Sequence, residues 1–177
     1  MTDWRTLSTK TVHQTAWFKL TEDKVLNQNG KELTYTYLEK GPSVGVVVVN
    51  ENGDLLLQKQ FAYPIKKVMW AIPAGFCDTD EPIKAAQREL YEETGLESDE
   101  WKSLGMFYSA AGLSNDPCYG FVTRVNGNNI KKRDKDEDLR VQQFVSESET
   151  RRMLNEFEII DGFSIIPLYR YLYGSKL

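Results

Sequence analysis

Two segments near the N-terminus are rich in aromatic and β-branched residues, the composition that favours β-strands. They are residues 17–20 (Trp-Phe-Lys-Leu) and residues 33–38 (Leu-Thr-Tyr-Thr-Tyr-Leu), on either side of Asn27-Gln28-Asn29-Gly30. The closing Asn-Gly pair is typical of a tight hairpin turn, because both residue types tolerate positive φ. The pattern predicts an antiparallel β meander over the first forty residues, with a boundary at Gly41-Pro42.

The next segment, residues 44–49, is a continuous apolar run of the kind found in a strand that is buried on both faces. Residues 50–53 (Asn-Glu-Asn-Gly) predict a turn into a second apolar strand at 54–58. Further strand-like segments follow at 104–110, 119–125 and 139–145.

Helix signals lie between these strands. The first helix is predicted from Pro82 to about residue 94, with Asp80 or Thr79 as its cap and Gly95 just after its end. Residues 146–149 (Ser-Glu-Ser-Glu) form a capping box for a second helix, and a third is predicted over 164–173. Strands interspersed with helices indicate an α/β fold, with a mixed sheet covered by helices on both faces.

Composition narrows the functional classes. The chain has 177 residues. Because a domain usually has about 100–200 residues, this length suits one globular domain with a small appendage. Its 26 acidic residues against 22 basic ones give a net charge of -4, which argues against a general nucleic-acid surface. A small phosphorylated substrate remains compatible with this charge, because a bound divalent cation reverses the local sign.

Other counts exclude further classes. No apolar run approaches the roughly 18 residues that span a bilayer, and the first residues form no secretory segment, so we expect a soluble cytoplasmic protein without a membrane partner. Two cysteines, Cys77 and Cys118, are too few for a disulfide scaffold. With His13 as the single histidine, a Ser–His triad or a His-rich zinc site is not expected.

An acidic stripe on the first predicted helix carries the most chemical information. Glu89, Glu92 and Glu93 are spaced i, i+3 and i+4, so their carboxylates share one helical face. A solvated acidic face is the simplest explanation. However, exposed helices usually alternate in sign, and residues 73–75 (Pro-Ala-Gly) form a preceding loop whose carbonyls could point to the same place. Clustered oxygen ligands suit Mg²⁺ or Mn²⁺, which commonly engage phosphate oxygens.

Residues 74–96 resemble the Nudix box, G-x5-E-x7-R-E-U-x-E-E-x-G-U, where U is aliphatic. The second half matches at every fixed position, from Arg88-Glu89-Leu90 through Glu92-Glu93 to Gly95-Leu96. The first half departs from the pattern, because Gly75 to Arg88 is one residue shorter than the family spacing. Either Asp80 or Glu81 replaces the upstream glutamate, and the register favours Asp80.

Outside the box, weaker similarities lie in the N-terminal meander, the terminal helix and residues 59–61 (Lys-Gln-Phe), 72–75 (Ile-Pro-Ala-Gly), 109–114 (Ser-Ala-Ala-Gly-Leu-Ser) and 136–141 (Asp-Glu-Asp-Leu-Arg-Val). These segments resemble the ADP-ribose and nucleoside diphosphate sugar pyrophosphatase branch of this family. The resemblance implies a Nudix α/β/α sandwich over residues 43–177, and a domain-swapped N-terminal meander over 1–42 that contributes to dimerisation and to the substrate site of a homodimer. It also implies an enzyme in which water attacks one phosphorus of a nucleoside diphosphate linked to a second moiety. The products are a nucleoside monophosphate and a sugar phosphate, and Mg²⁺ or Mn²⁺ is the expected cofactor.

The resemblance also implies site residues. The expected metal ligands are the carbonyl of Ala74 and the side chains of Glu89, Glu92, Glu93 and Glu137. The expected catalytic residues are Glu92, Glu137 and Arg88, of which Arg88 orients the glutamates. The general base stays open among Glu137, the neighbouring Asp136 and Asp134, and a glutamate of the box. The expected substrate-binding residues are Trp17, Lys59, Gln60 and Ser114, although strand packing explains Trp17 equally well.

Departures from the branch leave the substrate open. Ala62 stands where relatives often have a phosphate-binding arginine, and Ala111 stands where ADP-ribose hydrolases often have proline. Both weaken the case for ADP-ribose and leave room for a GDP-hexose such as GDP-mannose. The alternatives are a hydrolase of dinucleoside polyphosphates or modified triphosphates, and a non-catalytic nucleotide-sensing module. The altered spacing of the box supports the sensing module, as does Lys135, because some relatives have glutamate there.

Overall fold

The computed structural model describes residues 4–78, 81–127, 130 and 139–174. Over these residues the chain forms two compact units. The first comprises the described residues up to Gly41 together with Tyr108–Pro117, and the second comprises the described residues from Pro42 to Phe107 and from Cys118 onward.

The first unit is an antiparallel meander of β1 (Arg5–Gln14), β2 (Phe18–Leu26) and β3 (Glu32–Lys40). The predicted turn between β2 and β3 forms because the Asn27 side chain accepts hydrogen bonds from the main-chain N–H groups of Asn29 and Lys31, both at 2.9 Å. The segment 108–117 joins this unit through a parallel bridge between Leu38 and Ser114. The predicted meander is thus confirmed.

The second unit is built on a mixed sheet. Its strands are β4 (Ser43–Val49), β5 (Leu55–Ala62), β6 (Lys67–Ala71), β7 (Ala74–Phe76), β8 (Trp101–Tyr108), β9 (Pro117–Arg124) and β10 (Leu139–Val145). Over the described residues the order of the sheet is β10-β5-β4-β9-β8. The central strand β4 lies parallel to β9, whereas β5 is antiparallel to both β6 and β10, and β7 is antiparallel to β4.

Helices cover both faces of this sheet: α1 (Pro82–Thr94), α2 (Glu147–Asn155) and α3 (Gly162–Tyr173). Every residue of β4 is buried, as its apolar run predicted. On one face Val46 belongs to a core cluster with Leu90 of α1, and on the other Val47 belongs to a cluster with Leu168 of α3. The predicted mixed α/β architecture is therefore confirmed. Helix α1 packs on the sheet through its apolar side.

The helix ends refine the sequence predictions. The N-cap position of α1 is Glu81, so the prediction that Asp80 or Thr79 occupies it is wrong, while Gly95 ends the helix in the left-handed region at φ 69° as expected. Ser146 caps α2 by accepting a hydrogen bond from the N–H of Glu149. Helix α3 begins earlier than predicted, because the Asp161 side chain accepts hydrogen bonds from the N–H groups of its first turn. In the described part of the chain, none of the helices combines the length and apolar character needed to cross a membrane.

Candidate active site

Strand β7 and helix α1 bring the acidic stripe against main chain. Strand β7 is paired with β4 through Gly45 opposite Ala74 and Ser43 opposite Phe76. Helix α1 follows after a short connection and packs its apolar side on the same part of the sheet. Its acidic side is thereby placed beside β7, where Glu89 and Glu93 meet two consecutive residues of that strand, Gly75 and Ala74.

Glu93 is buried, with only 2% of its surface exposed. One carboxylate oxygen, Oε1, accepts a hydrogen bond from the Ala74 N–H at 3.3 Å, and the other, Oε2, accepts one from Gln58 Nε2 at 2.8 Å. Burying a charge is costly unless polar groups compensate it, so these donors stabilise a carboxylate in the interior. The solvated-face explanation therefore fails for Glu93.

Glu89 lies across Gly75. A Cβ atom built on Gly75 would overlap the Glu89 carboxylate, so that the side chain occupies space which only glycine leaves open. The Glu89 side chain is 13% exposed. Glycine at this position thus lets a second carboxylate lie against the backbone of β7.

Arg88 connects the stripe to the strand. Its Nη1 atom lies 2.9 Å from Glu89 Oε1 and 2.9 Å from Glu92 Oε2, while its Nη2 atom donates to the Phe76 carbonyl at 2.8 Å. Partial burial opposes the charge on Arg88, but the carboxylates of Glu89 and Glu92 outweigh this effect and hold its pKa above the usual value. The guanidinium is therefore a fixed, charged link between two carboxylates and β7.

Glu92 differs from its neighbours on the stripe. Its side chain is 49% exposed and pairs with Arg88 one turn earlier. Among the residues that the structure describes, no three His, Cys, Asp or Glu side chains converge closely enough to hold a metal ion by themselves. The stripe thus divides into two carboxylates set against the backbone, Glu89 and Glu93, and one that faces solvent, Glu92.

The site still fits a hard divalent cation. Two carboxylates lie against adjacent residues of a strand, in a place that excludes a Cβ atom at Gly75. All side-chain donors are oxygen atoms, with neither thiolate nor imidazole, which is the donor set of Mg²⁺ and Mn²⁺ rather than of zinc or copper. Carboxylates and main-chain carbonyls can therefore share a cation here.

Several predicted residues cannot be placed. Glu137, Asp136 and Asp134, the candidates for the general base, lie outside the described residues together with Lys135. The same holds for Asp80, the residue favoured as the upstream acid of the box. Their roles stay predictions.

Two predicted substrate residues belong to the first unit. Trp17, in the β1–β2 connection, is 68% exposed, which argues against ordinary strand packing within this unit. It borders a cavity of about 370 Å³ that Lys19, Glu39 and Asn115 also line. Ser114, which bridges to Leu38, is the neighbour of Asn115. Trp17 therefore lines a recess together with polar residues of the same unit, and Asn115, which directly follows Ser114, lines it as well.

The other two residues predicted to bind substrate, Lys59 and Gln60, lie on β5 of the second unit and are half-buried. Lys59 Nζ is 4.6 Å from the centre of the Trp70 ring on the neighbouring strand, a cation–π contact that holds its position. Gln60 pairs with Met69 of β6 and Leu139 of β10 in the strand register.

Gln58 and Gln142, which the local sequence pattern does not single out, form a direct cross-strand pair between β5 and β10. Gln58 is fully buried, donates to Glu93 and accepts from Gln142 Nε2 at 3.0 Å. The available signal was a polar amide directly after the apolar residues 55–57. In a strand, residues two positions apart face the same side, so Gln58 shares the side of an apolar residue. Its partner could not be identified, because strand pairing is not evident from local pattern.

Comparisons with known families agree with the geometry. The family model described as "NUDIX domain" matches residues 39–162. The model described as "Nucleoside diphosphate sugar hydrolase N-terminal domain" matches residues 4–38.

Three curated relatives share 24–32% sequence identity with the chain. An "ADP-ribose pyrophosphatase" of Mycobacterium tuberculosis is 32% identical over 116 residues, which are 64% of this chain and 56% of that protein. One of Bacillus subtilis is 28% identical over 136 residues, 76% of this chain and 74% of that protein. The chain thus spans little more than half the length of the first relative. The "Methanol dehydrogenase activator" of Bacillus methanolicus is 24% identical over 93% of this chain and 90% of that protein.

A solved structure titled "Crystal structure of ADP compounds hydrolase" superposes with a TM-score of 0.78. The alignment covers 95% of this chain and 91% of that one at 18% identity. At this identity the similarity supports the fold alone.

Proposed function

We propose that this chain, which belongs to the Nudix family, hydrolyses the pyrophosphate bond of a nucleoside diphosphate sugar. Water attacks one phosphorus, a new P–O bond forms, and the bridging P–O bond breaks. The oxygen of the water stays on the attacked phosphorus and its proton passes to a base, so that a nucleoside monophosphate and a sugar phosphate result. The observation that carries this proposal is the pair Glu89 and Glu93, set against the backbone of β7 at the Nudix box.

Divalent metal ions are general cofactors of Nudix hydrolases, and we propose Mg²⁺ or Mn²⁺ here. When bound, such an ion neutralises phosphate charge and acidifies a coordinated water. The residues proposed to hold it are Glu89, Glu93, the Ala74 carbonyl, Glu92 and Glu137. The support for Glu89 and Glu93 is their position beside β7, and the support for Glu92 is its place on the same helical face.

Arg88 has a positioning and electrostatic role in this proposal. It links Glu89 and Glu92 through one nitrogen and binds the Phe76 carbonyl through another, so it sets the spacing of two proposed ligands. Removal of a proton from the attacking water is assigned to Glu137 or to a glutamate of the box. Because general-base catalysis contributes typically about 10²–10⁴ to the rate, a variant that lacks the true base should lose that factor.

For the substrate, we propose ADP-ribose or a GDP-hexose. Relatives named ADP-ribose pyrophosphatases favour the first, whereas Ala62 and Ala111 stand where the resemblance implies arginine and proline. The exposed indole of Trp17 is suited to stack on a nucleobase, worth about 1–3 kcal/mol by analogy with nucleic-acid platforms. Lys59, Gln60 and Ser114 are proposed as polar substrate contacts.

A homodimer is part of the proposal. Every residue of β1 is exposed, including the large apolar side chains of Leu7 and Val12. An exposed strand with apolar side chains is a surface that a second copy of the chain could cover. Light scattering that returns a monomer at micromolar concentration would contradict this part of the proposal without affecting the chemistry.

The deciding experiment is a turnover screen of the purified chain against ADP-ribose, GDP-mannose, a dinucleoside polyphosphate and oxidised nucleoside triphosphates. We expect the highest kcat/KM for a nucleoside diphosphate sugar, with a nucleoside monophosphate and a sugar phosphate identified by mass spectrometry, and loss of turnover in excess EDTA. A preference for polyphosphates or triphosphates would overturn the substrate class. Binding of ADP-ribose in a thermal shift assay without any turnover would instead identify a sensing module.

A further inference from the structure

Two amide side chains, the half-buried Gln142 and the fully buried Gln58, form a hydrogen-bonded chain that leads from the edge of the sheet to Glu93. Gln142 of β10 and Gln58 of β5 are directly opposite each other in the antiparallel register. Gln142 Nε2 donates to Gln58 Oε1 at 3.0 Å, and Gln58 Nε2 donates to Glu93 Oε2 at 2.8 Å. Gln142 Nε2 also donates to the main-chain carbonyl of Glu93 at 3.2 Å. Together these bonds tie both the backbone and the side chain of Glu93 to the sheet.

The bonding partners determine the orientation of each amide. If the Gln58 amide were reversed, its oxygen would face the Glu93 carboxylate and its NH₂ group would face the NH₂ group of Gln142. Both contacts would be repulsive, so the observed direction, with donors aimed towards Glu93, is the stable one. Because Gln58 is fully buried, water is not at hand to replace a lost partner.

Burial of a glutamine at this position calls for an explanation beyond folding. The preceding β5 residues Leu55, Leu56 and Leu57 are apolar and buried, so an apolar residue at 58 would extend that core, but it would remove a donor from the buried Glu93 carboxylate. The amide instead supplies a donor to a carboxylate whose second oxygen is held by the Ala74 N–H. Glu93 is thus held from two sides, and a rotation of its carboxylate would weaken both hydrogen bonds.

We propose that Gln58 and Gln142 are positioning residues that orient the Glu93 carboxylate for a divalent cation. This inference rests on the proposed function, in which Glu93 is a metal ligand. Donors on a rigid sheet fix the plane of the carboxylate relative to β7. Loss of such an outer partner typically lowers metal affinity or activity by about 10–100-fold.

The test replaces Gln58 with methionine, which keeps the length of the side chain and removes both hydrogen-bonding groups. Mn²⁺ affinity is measured by calorimetry and by electron paramagnetic resonance, with no substrate present. We expect Gln58→Met to bind Mn²⁺ about 10–100-fold more weakly than the unmodified chain. Wild-type affinity in a folded Gln58→Met protein would overturn the proposal.

Two further variants separate positioning from general stability. Gln58→Glu keeps the shape but places an oxygen against Glu93, and we expect it to weaken Mn²⁺ binding at least as much as methionine does. Thr123→Val is the matched control. Thr123 lies on β9, is also buried, and donates a hydrogen bond to the Glu100 carbonyl at 2.7 Å. It should lower the melting temperature but leave Mn²⁺ affinity unchanged; an equal loss of affinity in Thr123→Val would assign the effect to folding and contradict the proposal.

Gln142→Met tests the outer part of the chain. It leaves the donor of Gln58 in place but removes the group that orients it, so we expect a smaller loss of Mn²⁺ affinity than in Gln58→Met. In steady-state kinetics both variants should require more metal for half-maximal rate, with the KM for nucleotide at saturating metal changed less than twofold. If the unmodified chain binds Mn²⁺ but turns over no nucleotide, the proposed function fails while this inference is still tested by binding.

Discussion

The Glu89 carboxylate occupies the space beside Gly75 that a Cβ atom would fill. Helix α1 and strand β7 thus approach so closely that a charged side chain of one lies against the bare backbone of the other. Every larger residue at position 75 competes with Glu89 for this space, and the consequence can be tested with a single methyl group.

Gly75→Ala should displace Glu89. Glu89 is a flexible side chain that can move aside. The free energy of unfolding should therefore fall by only about 1 kcal/mol, the lower end of the range typical of overpacking. Activity and Mn²⁺ affinity should fall more than tenfold if Glu89 is a ligand. Gly162→Ala is the control, since a Cβ there meets open space, and both quantities should stay unchanged in it. Normal activity in Gly75→Ala would remove Glu89 from the site.

Glu93→Gln should affect stability and catalysis together. The new amide can accept from Gln58 only by turning its NH₂ group towards the Ala74 N–H, and this opposition of two donors should cost about 1–3 kcal/mol. The loss of kcat should exceed the about 10–100-fold typical of an outer-shell partner. Chemical denaturation and initial rates measure the two effects. In Glu147→Gln, an exposed helical glutamate paired with Arg151, both should remain near wild type.

Arg88→Lys should lower kcat about 10–100-fold, because one ammonium group cannot reach Glu89, Glu92 and the Phe76 carbonyl in the geometry of a guanidinium. Arg152 offers a matched control, since it also bridges helical glutamates but lies on α2. Arg152→Lys should retain full activity. Equal rates for the two variants would show that the bridge at Arg88 has no part in catalysis.

Asp161→Ala should destabilise the chain more than Ser146→Ala. Each residue caps a helix, and loss of a cap costs about 0.5–2 kcal/mol. Asp161 additionally accepts from the Ser164 hydroxyl at 2.7 Å, and that hydroxyl accepts from the Ile72 N–H at 3.1 Å. Urea denaturation of both variants measures the difference, and Asp161→Asn, which keeps a side-chain acceptor, should recover part of it. The reverse order of stabilities would contradict this role of Asp161.

The meander should lose stability in acid through Glu39. Hydrogen bonds from Lys19 and Thr21 hold the pKa of Glu39 below its usual value of 4.5. A carboxylate with a lowered pKa stabilises the folded state above its unfolded pKa, and this contribution is lost as the pH falls through the folded value. The protection factors of amide hydrogen exchange in β2 and β3, which are corrected for the intrinsic pH dependence of exchange, should therefore fall below about pH 4.5 in the unmodified chain, and depend less on pH in Glu39→Gln. An identical pH dependence in both proteins would exclude Glu39 as the cause.

Local pattern was sufficient for most of the architecture. The apolar run at 44–49 predicted the buried central strand, Asn29-Gly30 predicted the hairpin, and Ser146 predicted the start of α2. These features are visible in sequence because each depends on residues close together in the chain. The start of α1 was less accurate, since Glu81 rather than Asp80 or Thr79 holds the N-cap position and the difference among adjacent polar residues is small.

The spacing of Glu89, Glu92 and Glu93 determined that three carboxylates share one side of a helix, because helical periodicity alone relates them. Only the tertiary structure decided which of them is buried: Glu93 is enclosed and bonded to Gln58, whereas Glu92 remains half exposed. Burial and hydrogen-bond partners depend on strands that are far apart in the chain, such as β5, β7 and β10, and their register is set by packing of the whole sheet. For this reason the shared face of the three carboxylates could be predicted from the sequence, and the contacts that orient each of them could not.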